Sequence, residues 1–144
     1  MKFATKLMVL GAILAGGIAY AEGANDPDVK ARQELMEANG AAMKALSEIA
    51  GGKVAFDAAA AEAAKKSLVD HAAGIEAAWK NNATDPASKS KPEIWTAWDD
   101  FVAKAGDLGK AAEALDVTSP ETIGAGLGAI GGACKACHTA YKAS

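Results

Sequence analysis

Large side chains are scarce in this chain of 144 residues, with aromatics at 6 %, so a core built from it has little bulk to fill it. Two cysteines allow at most one disulfide, and His71 and His138 are the only histidines. A zinc site built on the cysteine pair would therefore lack most of its remaining ligands. No basic run occurs and the net charge is −3, which argues against nucleic acid, whose phosphates call for clustered Lys and Arg. No segment alternates apolar and polar residues as a half-buried strand does. No nucleophile stands with a base, and neither paired carboxylates nor an open metal triad can be read, so catalysis is not expected.

What the chain has in plenty is alanine, the strongest helix former, so the composition leans all-α. Its length suits one domain. The first residues stand apart. Lys2 and Lys6 give a short positive segment, Leu7 to Ile18 are almost wholly apolar, and Ala19-Tyr20-Ala21 makes a small-x-small cleavage site. This is the layout of a secretory signal peptide over 1–21, and the polar stretch Glu22 to Asp26 follows it. The apolar run falls short of the roughly 20 residues that span a bilayer, so no membrane segment is expected after cleavage. Removal of Lys2 and Lys6 leaves 13 basic against 18 acidic side chains over 22–144, a net charge of −5. An acidic surface suits a basic partner.

Two helix starts carry a capping residue followed by proline, Asp26-Pro27 and Ser119-Pro120. Asp and Ser accept from free backbone N–H groups, and proline has none to leave unpaired. Thr118 with Glu121 has the spacing of a capping box. Asp57 caps another start, and Lys91-Pro92-Glu93 opens a fourth. The apolar period between these marks is helical. It predicts helices over about 27–50, 57–80, 92–115 and 120–142, with Gly51-Gly52 closing the first and a polar loop around Asp85-Pro86 after the second. One apolar stripe per helix implies an antiparallel up-down-up-down four-helix bundle. The last helix carries Gly124, Gly126, Gly128, Gly131 and Gly132, each costing about 1 kcal/mol relative to Ala. Close approach of something flat and bulky would explain them.

Cys134-Lys135-Ala136-Cys137-His138 is C-x-x-C-H, the attachment signature of c-type haem. Two thiols add to the two vinyl groups of one haem, so they must lie about a helical turn apart on one side of the chain. The next His then meets the iron as an axial ligand. A lone disulfide is the plainer reading of two exported cysteines. A thioredoxin-like pair would require a βαβ setting, which is absent. Export signal, adjacent His and helical pattern together favour one covalent haem c. Cys134 and Cys137 fall on the apolar stripe with Ile123, Leu127, Ile130 and Tyr141, which would bury the haem inside the bundle.

This layout resembles the class II cytochromes c, the cytochrome c′ family, over essentially the whole of 22–144. The residues that carry the resemblance are Arg32-Gln33 with Met36 one turn on, Phe56-Asp57-Ala58-Ala59, Pro92-Glu93-Ile94-Trp95, and Gly132 to His138 with Tyr141-Lys142. The resemblance implies that the first helix meets the second face of the haem. Cytochromes c′ proper have a non-ligating residue there, with a five-coordinate iron that binds gases such as nitric oxide. The low-spin branch, the cytochrome c-556 type, has Met there, with a six-coordinate iron that carries electrons.

The run Leu35-Met36-Glu37-Ala38-Asn39-Gly40-Ala41-Ala42-Met43 is similar to the low-spin branch. By itself, Met on a helix stripe is usually core filling. With the resemblance, Met36 becomes the expected sixth ligand opposite His138, since a thioether suits haem iron and raises its potential. Met43 is expected in the core, against the haem edge or the second helix. Arg32 and, more weakly, Gln33 are expected on a haem propionate, as the family uses an Arg here and Arg forks onto carboxylates. The competing reading of Arg32 is a solvated charge like Lys30 or Lys44. His71 reads as a partly buried structural histidine, Trp79, Trp95 and Trp98 as core, and Lys142 as a basic neighbour of His138. Together these imply a periplasmic electron carrier with protein redox partners, five-coordinate nitric-oxide binding being the alternative. Many cytochromes c′ pair as homodimers through their first two helices; the alanine-rich surface does not choose between monomer and dimer.

Overall fold

A computed structural model of the protein describes residues 23–144; the signal segment expected over 1–21 and the cleavage site lie outside them. Among the described residues, four long helices and one short one make up the fold. Helix α1 is Pro27–Ala50. It starts where Asp26 accepts from the N–H groups of Asp28 and Val29 at 2.9 and 3.1 Å. It ends at Gly51, and Gly52 then takes the left-handed turn at φ 67°. Helix α2, Ala58–Trp79, begins with Asp57 accepting from Ala60 N–H at 2.7 Å.

The third expected helix is broken. Helix α3 is Glu93–Thr96 and α4 is Trp98–Glu113, with Ala97 between them at φ −124°, ψ 45°. The break frees Trp95 to donate its indole N–H to the carbonyl of Trp79 at 2.8 Å. Helix α5 is Pro120–Tyr141. Its capping box joins Ser119 and Thr122, in place of the expected Thr118 and Glu121. Pro120 at the first helical position makes Ser119 the cap, so the reciprocal partner three residues on is Thr122. The Thr118 hydroxyl donates instead to Asp116 at 2.7 Å.

The long helices touch in a ring, α1 to α2, α2 to α4, α4 to α5 and α5 to α1, which is the antiparallel four-helix bundle. Leu46, Leu68, Ile94, Ile123, Ile130 and Val29 are sealed from solvent. Phe101 gathers the aromatics, with ring centroids 5.9 Å from Trp79, 5.6 Å from Trp98 and 5.4 Å from Tyr141, the last edge-on. No helix among the described residues is long and apolar enough to cross a membrane.

Residues 80–92 cross one end of the bundle and are fastened on both sides. Asp85 accepts from the N–H groups of Asn25 and Asp26 at 2.8 and 2.9 Å. Gln33 donates to the carbonyl of Ala87 at 3.1 Å, and Asn81 donates to Asp28 at 2.9 Å. On the far side, Lys91 N–H donates to Tyr141 O at 2.9 Å and Ala143 N–H to Lys89 O at 2.8 Å. The polar loop is thus a strap that ties the start of α1 to the end of α5.

The glycines of α5 do not make room for a flat group. A Cβ at Gly126 would meet Leu115, one at Gly124 would lie 3.7 Å from Ala50, and Gly128, Gly131 and Gly132 face open space. None of them lines the cavity described next.

Candidate functional site

Beneath the strap is a cavity of about 610 Å³ between α1, α2, α4 and α5. A smaller one of about 150 Å³ lies toward Met43 and Leu108. Met36, Ile75, Cys137 and His138 wall both. Helix α5 supplies Cys134 and Cys137 one turn apart, with His138 beside the second thiol. Burial pushes the thiols of both cysteines up, that of Cys137 in spite of the nearby Lys104. Burial lowers the imidazole of His138, and the charge of Lys142 adds to the effect. Lys142 lines the larger cavity, next to that imidazole as expected from sequence.

Met36 projects into the cavity from α1, partly buried, and Met43 lines the smaller one two turns on. Both helices present their stripes inward, so a thioether and an imidazole face the same space from α1 and α5. Tyr141 closes the wall below His138 by donating to Asp100. That hydrogen bond pushes the phenol up to about 12 and holds the Asp100 carboxyl below its usual range.

Arg32 is not a solvated helix-face charge; it is 2 % exposed. Its Nε donates to the carbonyl of Ala78 at 2.9 Å, Nη1 to that of Ala83 at 3.2 Å, and Nη2 to that of Asn81. Trp79 and Trp95 stack on it, with ring centroids 5.6 and 5.4 Å from the guanidinium carbon. Burial lowers its pKa, against the attraction of Asp28 and Asp26. The guanidinium thereby caps the C-terminus of α2 and anchors the strap. Three of its five N–H groups are taken, and the side chain still lines the larger cavity with Gln33. Of the three tryptophans expected as core, Trp79 is buried in it and Trp95 and Trp98 pack against it; Trp79 and Trp95 also cover this arginine, and Trp79 donates to Ser90 on the strap at 2.9 Å.

Sequence reasoning missed the strap's contribution to the wall, through Ala87, Ser88, Lys89 and Ser90. It also gave no role to Asn39, which lines the smaller cavity and is 7 % exposed. A polar residue three positions from Met36, on the inner face of an apolar helix, was the available signal. His71 is partly buried and lines neither cavity; its Nδ1 is sealed without a partner.

A covalently bound tetrapyrrole fits these residues. The volume lies within the range of about 300–1,000 Å³ usual for cofactor sites. The walls of the larger cavity are mostly apolar and carry its polar side chains, and the two thiols one turn apart that match the vinyl groups both line the smaller cavity, Cys137 the larger one as well. A four-helix bundle holding C-x-x-C-H on its last helix, against a cavity of this size, is a class II haem protein.

The family model for cytochrome C′ matches residues 28–142. A cytochrome c-556 of Agrobacterium fabrum is 32 % identical over 99 % of this chain and 95 % of its own. A cytochrome c′ of Pararhodospirillum photometricum is 32 % identical over 79 % of this chain and 94 % of its own. Among solved structures, oxidized R. palustris cytochrome c556 is similar at a TM-score of 0.74 and 28 % identity, covering 82 % of this chain and 97 % of that one. The protein belongs to the cytochrome c′ family, and its cofactor is haem c.

Proposed function

We propose that the protein is an exported, periplasmic electron carrier in which His138 and Met36 are the axial ligands of one haem c, bound through Cys134 and Cys137. The observation that carries this reading is that Met36 and His138 wall the same two cavities from α1 and α5. The haem iron supplies one-electron exchange. The chain's own part is to fix its surroundings. His138 and Met36 offer an imidazole and a thioether, a pair that favours a raised potential. The walls around them are mostly apolar. Arg32, through the two N–H groups not spent on carbonyls, and Gln33 would hold a propionate. The net charge of −5 over 22–144 suits a basic redox partner. The signal sequence over 1–21 supports the periplasmic address.

A second reading, a five-coordinate haem that binds nitric oxide, draws support from the cytochrome c′ relative. Visible spectra of the purified holoprotein separate the two. With Met36 on the iron, the reduced bands are sharp, a weak long-wavelength sulfur-to-iron band appears on oxidation, and carbon monoxide changes little. Met36→Ala then turns the haem high-spin and open to carbon monoxide. A wild type already high-spin and gas-responsive overturns the Met36 assignment in favour of the second reading.

A further inference from the structure

Asn39 is the one buried side chain of the haem pocket with nothing to bond. It is 7 % exposed, and both Oδ1 and Nδ2 are sealed from solvent without a partner. A buried amide left so costs about 1–3 kcal/mol, so a partner is expected once the cofactor is in place. Few groups qualify. Propionates belong with the polar side chains of the larger cavity, Arg32, Gln33, Lys89 and Ser90, and Asn39 lines only the smaller one. Lys104 in the smaller cavity is a donor already paired with Asp100 at 3.5 Å, and it has nothing to accept the amide's N–H. Ile75, Ala105 and Leu108 are apolar.

The remaining polar or sulfur-bearing side chains of that cavity stand on α5, the Cys134 and Cys137 sulfurs that would carry the haem and His138 that would hold its iron, while on Asn39's own helix two thioethers remain, Met36 and Met43. Position chooses between them. Asn39 leans back over Met36 as Met43 leans back over Asn39, and of the two only Met36 also walls the larger cavity with His138.

We propose that Asn39 is a positioning residue for Met36, its amide N–H donating to the thioether sulfur and fixing the lone pair left for the iron. This rests on Met36 being the sixth ligand. Sulfur is a weak acceptor, but in a dry cavity it is the one on offer. The bond works as outer partners of metal ligands do, by holding orientation and tuning donation. It makes the sulfur harder to displace by gas.

Asn39→Leu removes the donor at nearly constant volume and relieves an unpaired amide, so the variant is expected to fold. In wild type the reduced holoprotein resists carbon monoxide. In Asn39→Leu half-saturation falls about tenfold in carbon monoxide, the low end of what losing an outer partner costs, and the sulfur-to-iron band weakens. In a Met36→Ala background the same change leaves carbon monoxide binding unaltered, because its target is gone. Proton NMR of reduced wild type supplies a check without a variant: a side-chain amide pair close to the Met36 methyl. A low-spin wild type that Asn39→Leu leaves unchanged overturns this inference alone. So does an effect that persists without Met36, or an amide pair remote from that methyl. A high-spin wild type overturns the ligand reading and this inference with it.

Discussion

Arg32 illustrates how much one side chain does here. Its planar fork meets three carbonyls that α2 and the strap leave unpaired, while two indoles cover its faces. A lysine has a point charge and no fork, so it cannot span Ala78, Asn81 and Ala83 together. Arg32→Lys is expected to destabilise, and Arg32→Met more so, by about 3 kcal/mol, since hydrogen bonds to charged groups contribute about 1.5–3 kcal/mol each before relaxation. Urea unfolding would show it as a lower midpoint at unchanged slope. Its burial was not legible from sequence, because the carbonyls it caps belong to residues 46 to 51 positions away. The motif Cys134 to His138 was legible for the opposite reason: five consecutive residues on one helix need no tertiary information to be read together.

At the scale of the helix, α5 combines good capping with poor propensity. Ser119, Pro120 and Thr122 start it, and the glycines then weaken it. Gly128→Ala adds a methyl to open space and should stabilise by about 0.5–1 kcal/mol, the helix-propensity difference. Gly126→Ala drives the same methyl into buried Leu115 and should gain less or lose. Thermal unfolding of the two variants side by side would show opposite or clearly unequal shifts. The boundaries of α1, α2 and α5 were legible because caps, prolines and the Gly51-Gly52 pair mark them in the chain. The break at Ala97 was not, since no glycine or proline stands there and the Trp95 bond to Trp79 that accompanies it joins residues 16 positions apart.

For the molecule as a whole, carboxylates that accept backbone N–H bonds make stability depend on pH. Backbone N–H groups, that of Asp26 foremost and those of Ala87 and Asn25 with it, hold the Asp85 carboxyl below its usual range. Hydrogen bonds from Thr118 do the same for Asp116. A folded-state value below the unfolded one, about 3.9 for Asp, gives stability that is complete above it and is lost as pH falls through the folded value. Melting temperature should therefore hold steady from neutral pH to about 5 and drop below about 4. Asp85→Asn, which keeps the acceptor oxygen without the charge, should flatten that drop. Ring topology was legible at this scale from four stripes of similar length; the strap was not, because its polar residues carry no period.

The strap also sets an order of assembly. Its bonds to Asn25 and Asp26 close loops of about 60 residues, and its other side pairs with residues just past α5. Helices α1 and α2, α2 and α4, and α4 and α5 meet through shorter connections, and contacts distant in sequence close late. Lengthening such a loop costs little equilibrium stability, so the delay is kinetic. The haem-side wall then sets late, together with the seam between α5 and α1, after α1–α2, α2–α4 and α4–α5 have joined. A rigid macrocycle would have room to enter while that end is open, before Tyr141 and Ala143 pair with the strap.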